Sequence, residues 1–423
     1  MNKPGTAISS DLLRQLEAAF DPVKSNDVLV RAVQAASITG DEAHMVDMLR
    51  PEMQRLGLKP ETKDFLPGRP NIYGQRQGES AGPHLTFIGH TDVVRARDWA
   101  KAWAGKPQEN PFGATIINDE LWGRGAADLK AGICTTLMAL DLIESTSIKL
   151  NGSLTYAFIG DEESGEPGTG VSAGVKAYVK EVRAGNLSMP DFAIYVEPTN
   201  LAIYPVQMGF FIADITLTGK SAYFGKPELG KDALKAAHGA LAAIWEHSDK
   251  VNARAEHALL GGGFALVTEL KAGGLIAVPG EAKISLIRKL LPGETIDGAI
   301  NELEAAIKSA IPQDIVLSIA YPAGRDHPQG GLPAGIDADH AQIKQLAQCI
   351  AAVRPGAGKI EGAPFWSEMS FLTEQLHCPA VYFAPGDISI CHTHEERVSL
   401  PDYHDAIVAL AAFIVTYCNP VEN

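Results

Sequence analysis

The sequence predicts an α/β fold interrupted by a smaller α+β domain, and three observations carry that prediction. Apolar runs bounded by turn residues alternate with helix-patterned stretches over most of the chain, as in layered α/β domains. The middle of the chain switches to strands of alternating polarity. The 423 residues, 46% of them hydrophobic and 21% charged, are enough for a large core and more than one domain, since domains run to about 100–200 residues.

The buried strands are residues 84–89 (HLTFIG), 154–160 (LTYAFIG), 192–196 (FAIYV) and 380–384 (AVYFA), each short and mostly apolar. Helices are expected over 41–56 and 131–145, from apolar spacing in the first and a Gly-containing turn before the second. Residues 406–418 read as a buried C-terminal helix, being shorter than the roughly 20 residues a membrane span needs.

Residues 210–218 alternate like a half-buried strand, and a helix follows over about 230–246. Strands at 264–270 and 282–287, a helix at about 295–310 and a strand at 315–320 complete the middle segment. That strand, helix, strand, strand, helix, strand order is ferredoxin-like. The expected division is 1–208 with 323–423 as one domain and 209–322 inserted as the other.

Thirty-six Lys and Arg against 51 Asp and Glu give a net charge of −15. Such a field repels nucleic-acid backbones and anionic membranes, so neither is expected as a partner. Cys134, Cys349, Cys378, Cys391 and Cys418 are odd in number and contain no CxxC pair, which argues against a disulfide framework. Residues 1–11 have no basic segment followed by an apolar one. A cytoplasmic location is the expectation.

Chemistry concentrates where the strands end. HLTFIG leads to His90-Thr91-Asp92, LTYAFIG to Asp161-Glu162-Glu163, FAIYV to Glu197-Pro198, and AVYFA through Asp387 to His392. Asp128 precedes the 131–145 helix. Sites in open α/β sheets form beyond the carboxyl ends of strands. Two imidazoles with several carboxylates suit zinc, cobalt or manganese better than calcium. One Asp can bridge two cations, and of adjacent Glu162 and Glu163 one can bind metal while the other takes a proton from water.

The segments GHTDVV (89–94), PFGATIINDELWGRGAADLKAG (111–132), DEESG (161–165), VEPTN (196–200) and APGDISICHTHEERV (384–398) together resemble the M20 metallopeptidase/amidase family. That family includes acetylornithine deacetylase, succinyl-diaminopimelate desuccinylase, aminoacylase-1 and glutamate carboxypeptidase. The resemblance implies a zinc-aminopeptidase-like catalytic domain with a mixed, largely parallel sheet. It implies that the inserted domain is a lid that forms a homodimer. It also implies two divalent ions per subunit: His90 and Glu197 on one, His392 and Glu163 on the other, and Asp128 on both. Asp92 would accept a hydrogen bond from His90, and Glu162 would be the general base toward a metal-bridging water. The substrate would be a small amide or peptide.

The chain departs from the family pattern in the inserted domain. Tyr223 stands in Gly219-Lys220-Ser221-Ala222-Tyr223 where the family has a lid His; its phenol can donate to an oxyanion or can merely pack. Ile276 replaces a substrate-holding Asn, while Arg288 stands where the family often grips a substrate carboxylate. A local Glu is the competing partner for Arg288. The expected function is metal-dependent cleavage of an N-acyl amino acid or related amide. A dipeptidase or carboxypeptidase of the same family is the alternative, and a non-catalytic binding protein the third reading.

Overall fold

The computed structural model of the chain describes residues 8–164 and 166–420. Residues 1–7, part of the stretch read for a leader, and Gly165 of the DEESG segment lie outside the described residues. Two compact units emerge: Met1–Pro205, Gly335–Ala363 and Ser367–Asn423 form the first, Val206–Ala334 with Pro364–Trp366 the second.

The first unit is built on a mixed nine-stranded sheet. Its central strands run Ser153–Ile159, His84–His90, Phe192–Tyr195 and Ala380–Tyr382, each parallel to its neighbour. They are the four runs expected from sequence, and their near-complete burial explains why they read as continuous apolar stretches. Antiparallel strands flank them: Arg69–Gln77 pairs with Ser153–Ile159, and Tyr382 meets Tyr204 of the Ile203–Gln207 strand. Because the four central strands are parallel, all four carboxyl ends open on one edge.

Helices cover this sheet. Ala131–Glu144 and Leu400–Cys418 are buried along nearly their whole length, so their apolar residues show no stripe. The Ser399 hydroxyl caps the second of them at the Asp402 amide, 3.2 Å away. Gly132 lets the first helix approach the sheet, since a Cβ there would stand 2.2 Å from the Val196 carbonyl oxygen. Among the described residues no helix is long and apolar enough to cross a membrane. All five cysteines are buried and free.

The second unit has the order Gly209–Thr218, Ala233–Arg254, Phe264–Ala272, Glu281–Leu290, Ile296–Ala310, Val316–Ala320. The four long strands pair antiparallel, with Glu281–Leu290 and Val316–Ala320 on either side of Gly209–Thr218. Phe211, Ala213, Ile215 and Leu217 point inward to a core completed by Ile284, Leu286, Leu303 and Ile307. The unit runs past the edge expected at residue 322. Gly330 and Gly331 pair with Phe211 and Phe210, and the Trp366 indole donates to the Leu332 carbonyl at 3.0 Å. Those long-range contacts bring residues 323–334 and Trp366 into it.

Candidate metal centre

The four parallel strands deliver their terminal residues to one edge. His90 is the last residue of its strand. After Ser153–Ile159 the chain turns at Asp161, which holds a left-handed φ of 70°. The Asp161 carboxylate accepts from the amides of Gly170, Val171 and Ala173 at 3.0, 3.1 and 3.1 Å and from Arg69 at 2.8 Å. Arg69 is paired in turn with buried Glu42. This buried triad anchors the loop that carries Glu162 and Glu163.

Asp128 is the hub. One of its oxygens, Oδ1, lies 3.1 Å from His90 Nε2, and the other, Oδ2, lies 3.1 Å from His392 Nε2. Glu163 Oε1 is 2.9 Å from the same His392 nitrogen, and Glu197 Oε1 is 3.8 Å from His90 Nε2. Donor atoms of His90, Asp128 and Glu163 all fall within 4.8 Å of one another. Glu197 is held by the Ser367 hydroxyl at 2.6 Å. All five expected ligands therefore converge, His90 with the two carboxylates Asp128 and Glu197, His392 with Asp128 and Glu163.

Asp92 is placed differently from expectation. His90 Nδ1 meets the Asp92 main-chain carbonyl at 2.9 Å, while the carboxylate is 3.9 Å away. The carboxylate accepts instead from the amides of Glu163 at 3.0 Å and Glu162 at 3.4 Å. Asp92 thus orients His90 through its backbone and the two glutamates through its side chain. Glu162 itself remains half-buried.

The electrostatics fit divalent cations. Burial, reinforced by the Asp128 charge, pushes the Glu163 carboxyl up to about 8. Burial raises Asp92 to about 7 and holds Glu197 well above the usual carboxylate range, with Asp128 and Glu162 adding to the push. Hydrogen bonds to Asp128 and Glu163 raise His392 to about 11. Burial would push Asp128 up, yet the two imidazoles bring it below its ordinary value. A buried cluster of mutually repelling carboxylates with two imidazoles is a donor set that cations of borderline softness satisfy.

The inserted-domain candidates sit apart from this chemistry in kind. Arg288 is wholly buried within the second unit and pairs with Glu294 at 2.6 Å, the local partner foreseen as its alternative. Tyr223 is 66% exposed and its ring rests against Phe224, centroids 4.6 Å apart. Sequence reasoning missed Ser367, Arg124, Glu396 and Glu368, all buried. Arg124 and Glu396 stand in the same segments as Asp128 and His392, but neither segment encodes their pairing across 272 residues of chain.

Residues 86–416 match the family model of peptidase family M20/M25/M40. A succinyl-diaminopimelate desuccinylase of Gluconacetobacter diazotrophicus is 36% identical over 171 residues, 40% of this chain and 41% of that one. The match thus spans about two fifths of that relative's length. An M20 family metallo-carboxypeptidase from Sulfolobus solfataricus shares the fold at a TM-score of 0.73 and 16% identity, over 94% of this chain and 99% of its own. A dinuclear metal-binding M20 peptidase from Bacillus subtilis superposes with a TM-score of 0.63 at 13% identity, covering 95% of this chain and 99% of its own.

Proposed function

This chain belongs to peptidase family M20/M25/M40, and from that premise we propose a hydrolase that cleaves the amide bond of an N-acyl amino acid or related small amide. The observation that carries the reading is Asp128, whose two oxygens face two different imidazoles at 3.1 Å each. Two divalent ions, zinc before cobalt or manganese, would be held by His90, Asp128 and Glu197 on one side and by His392, Asp128 and Glu163 on the other. The dinuclear metal-binding relative of the same fold supports that count. Bound there, the ions supply Lewis acidity toward the amide carbonyl and the attacking water.

The chain's own residues do the rest. Glu162 is half-buried, so it can meet both water and substrate. It takes a proton from the attacking water as the new C–O bond forms, then returns that proton to the departing nitrogen as the C–N bond breaks. Asp92 fixes the direction of Glu162 through the amide of that residue. Ser367 fixes Glu197. The products are a carboxylic acid and an amine.

A dipeptidase or carboxypeptidase reading shares every one of these groups, and the metallo-carboxypeptidase fold match supports keeping it. The deciding experiment is a metal-replete screen of N-acetyl and N-succinyl amino acids beside dipeptides. Hydrolysis of acyl amino acids above dipeptides is expected; the reverse order transfers the assignment to the peptidase reading. Metal analysis should find two ions per chain, and well under one after zinc or cobalt reconstitution would overturn both. A homodimer through the second unit belongs to the same proposal, supported by exposed Phe264, Leu266 and Leu270 on its edge strand. Five free buried thiols support a cytoplasmic location.

A further inference from the structure

Arg124 and Glu396 lie outside the ligand set, yet their side chains are only 2% and 0% exposed. They form an ion pair through Arg124 Nη1 and Glu396 Oε2. The other oxygen, Glu396 Oε1, accepts from the amides of Ala127 at 3.2 Å and Asp128 at 3.1 Å. Arg124 Nη2 donates to the carbonyl of Thr393, the residue after His392, at 3.1 Å. The Gly123 amide donates to the Glu396 carbonyl at 3.2 Å.

These bonds matter because nothing regular holds Asp128. Its φ and ψ are −118° and 93°, outside helix geometry, in a turn entered through Gly125 at φ 83°. Its amide would be a buried orphan without the Glu396 oxygen. We propose that Glu396 is the positioning residue for the bridging carboxylate. Through two amides it sets where Asp128 presents its oxygens, and through Arg124 it clamps the Asp128 turn to the loop that carries His392. Both glutamate oxygens are needed as acceptors, which explains why a carboxylate occupies this place. The inference rests on the metal-centre reading above.

The test compares wild type with Glu396→Gln and Arg124→Lys. Glutamine keeps the size but turns an NH₂ either on Arg124 or on the two amides. Lysine keeps the charge but loses the fork that reaches Thr393. Zinc affinity is read by competition with a chromophoric chelator, the cobalt-loaded form by its visible spectrum, and the fold by the Tm of the metal-free proteins. Residues that orient metal ligands typically change metal affinity by about 10–100-fold. Zinc binding weakened by that factor in Glu396→Gln, with an altered cobalt band and a cooperative unfolding transition, is the expected result. Affinity within about twofold of wild type and an unchanged cobalt spectrum would overturn it. Should Glu396→Gln fail to fold, Arg124→Lys decides: a smaller loss in the same direction supports the clamp, and none refutes it. A wild type that binds no zinc defeats the metal reading itself; a wild type that binds two ions beside unaltered variants defeats only the positioning role.

Discussion

Around the proposed metal centre the first unit buries charge differently from the second. The first draws His90, Asp92, Asp128, Glu163, Glu197, Glu368 and Glu396 out of water around one sheet edge. In the second, among the described residues, Arg288 and His247 are the buried side chains that can carry charge, and the core is otherwise aliphatic and aromatic. Burying a charge is costly unless it is paired. Around that edge Glu163, Glu197 and Glu368 are left with raised pKa values, whereas the second unit neutralises Arg288 with Glu294 six residues on. Crowding that protein cations do not relieve marks a place built for something else to bind. A satisfied pair marks a place built to fold.

The largest expected effect tests the first half of that contrast. Glu162→Gln should lower turnover by about 10²–10⁴-fold, the usual worth of a positioned general base. Metal content and Tm should stay at wild-type values, since Glu162 is not among the atoms that hold the imidazoles. Steady-state kinetics beside metal analysis checks this, and retention of more than a tenth of the activity would remove Glu162 from the chemistry.

The second half predicts a loss of the other kind. Arg288→Met removes one of the two guanidinium partners of Glu294, which keeps Arg254 at 3.1 Å, and should cost about 1–2 kcal/mol of stability. Turnover per folded molecule should not change. Denaturant unfolding and kinetics on one preparation separate the two. A raised KM at unchanged stability would restore the substrate-gripping role that the resemblance implied.

A pH series distinguishes the units further. Glu368 is fully buried, accepts from the Tyr195 hydroxyl at 2.9 Å, and is pushed up to about 8 by burial and by the charge of Glu162. A carboxyl whose folded pKa is raised favours the folded state below its unfolded value of about 4.3 and loses that contribution as pH rises through the folded value. In metal-free protein, wild type should therefore lose stability relative to Glu368→Gln between about pH 4.5 and 8. A relative Tm change on the order of 5 °C is the expected scale. Parallel curves for the two proteins across that window would show that Glu368 ionises as it does in water.

How far the sequence was readable follows from the same contrast. The four central strands were legible because parallel strands buried on both faces leave nearly uninterrupted apolar runs, and the candidate ligands His90, Glu163 and Glu197 stand within a few residues of the ends of three of them. The alternation of residues 210–218 likewise exposed the one-sided sheet of the second unit. Asp92 was half legible: its spacing from His90 was informative, but only the turn of the backbone shows that its carbonyl, and not its carboxylate, reaches the ring. Arg124, Ser367 and Glu396 act through hydrogen bonds spanning 170 to 272 residues of chain, and no local pattern encodes such pairings. Arg288 could be read two ways, since a buried Arg and a nearby Glu look the same on paper as a ligand-binding Arg and a solvated Glu.

Tyr223→Phe is the smallest change and the one aimed most directly at the contrast. The ring is 66% exposed and lies tilted against Phe224, a contact that phenylalanine reproduces. Removing the hydroxyl should therefore move stability by less than about 0.5 kcal/mol, as for surface substitutions generally. If the chemistry belongs wholly to the crowded acids of the first unit, turnover should stay within about threefold of wild type. A fall beyond that at unchanged Tm would have to come from the phenol acting on the reaction, because no packing is lost. Tyr223→His then supplies the control: an imidazole that restores activity where phenylalanine does not would place a hydrogen-bond donor from the second unit in the transition state. That outcome would end the division between a unit that reacts and a unit that only folds.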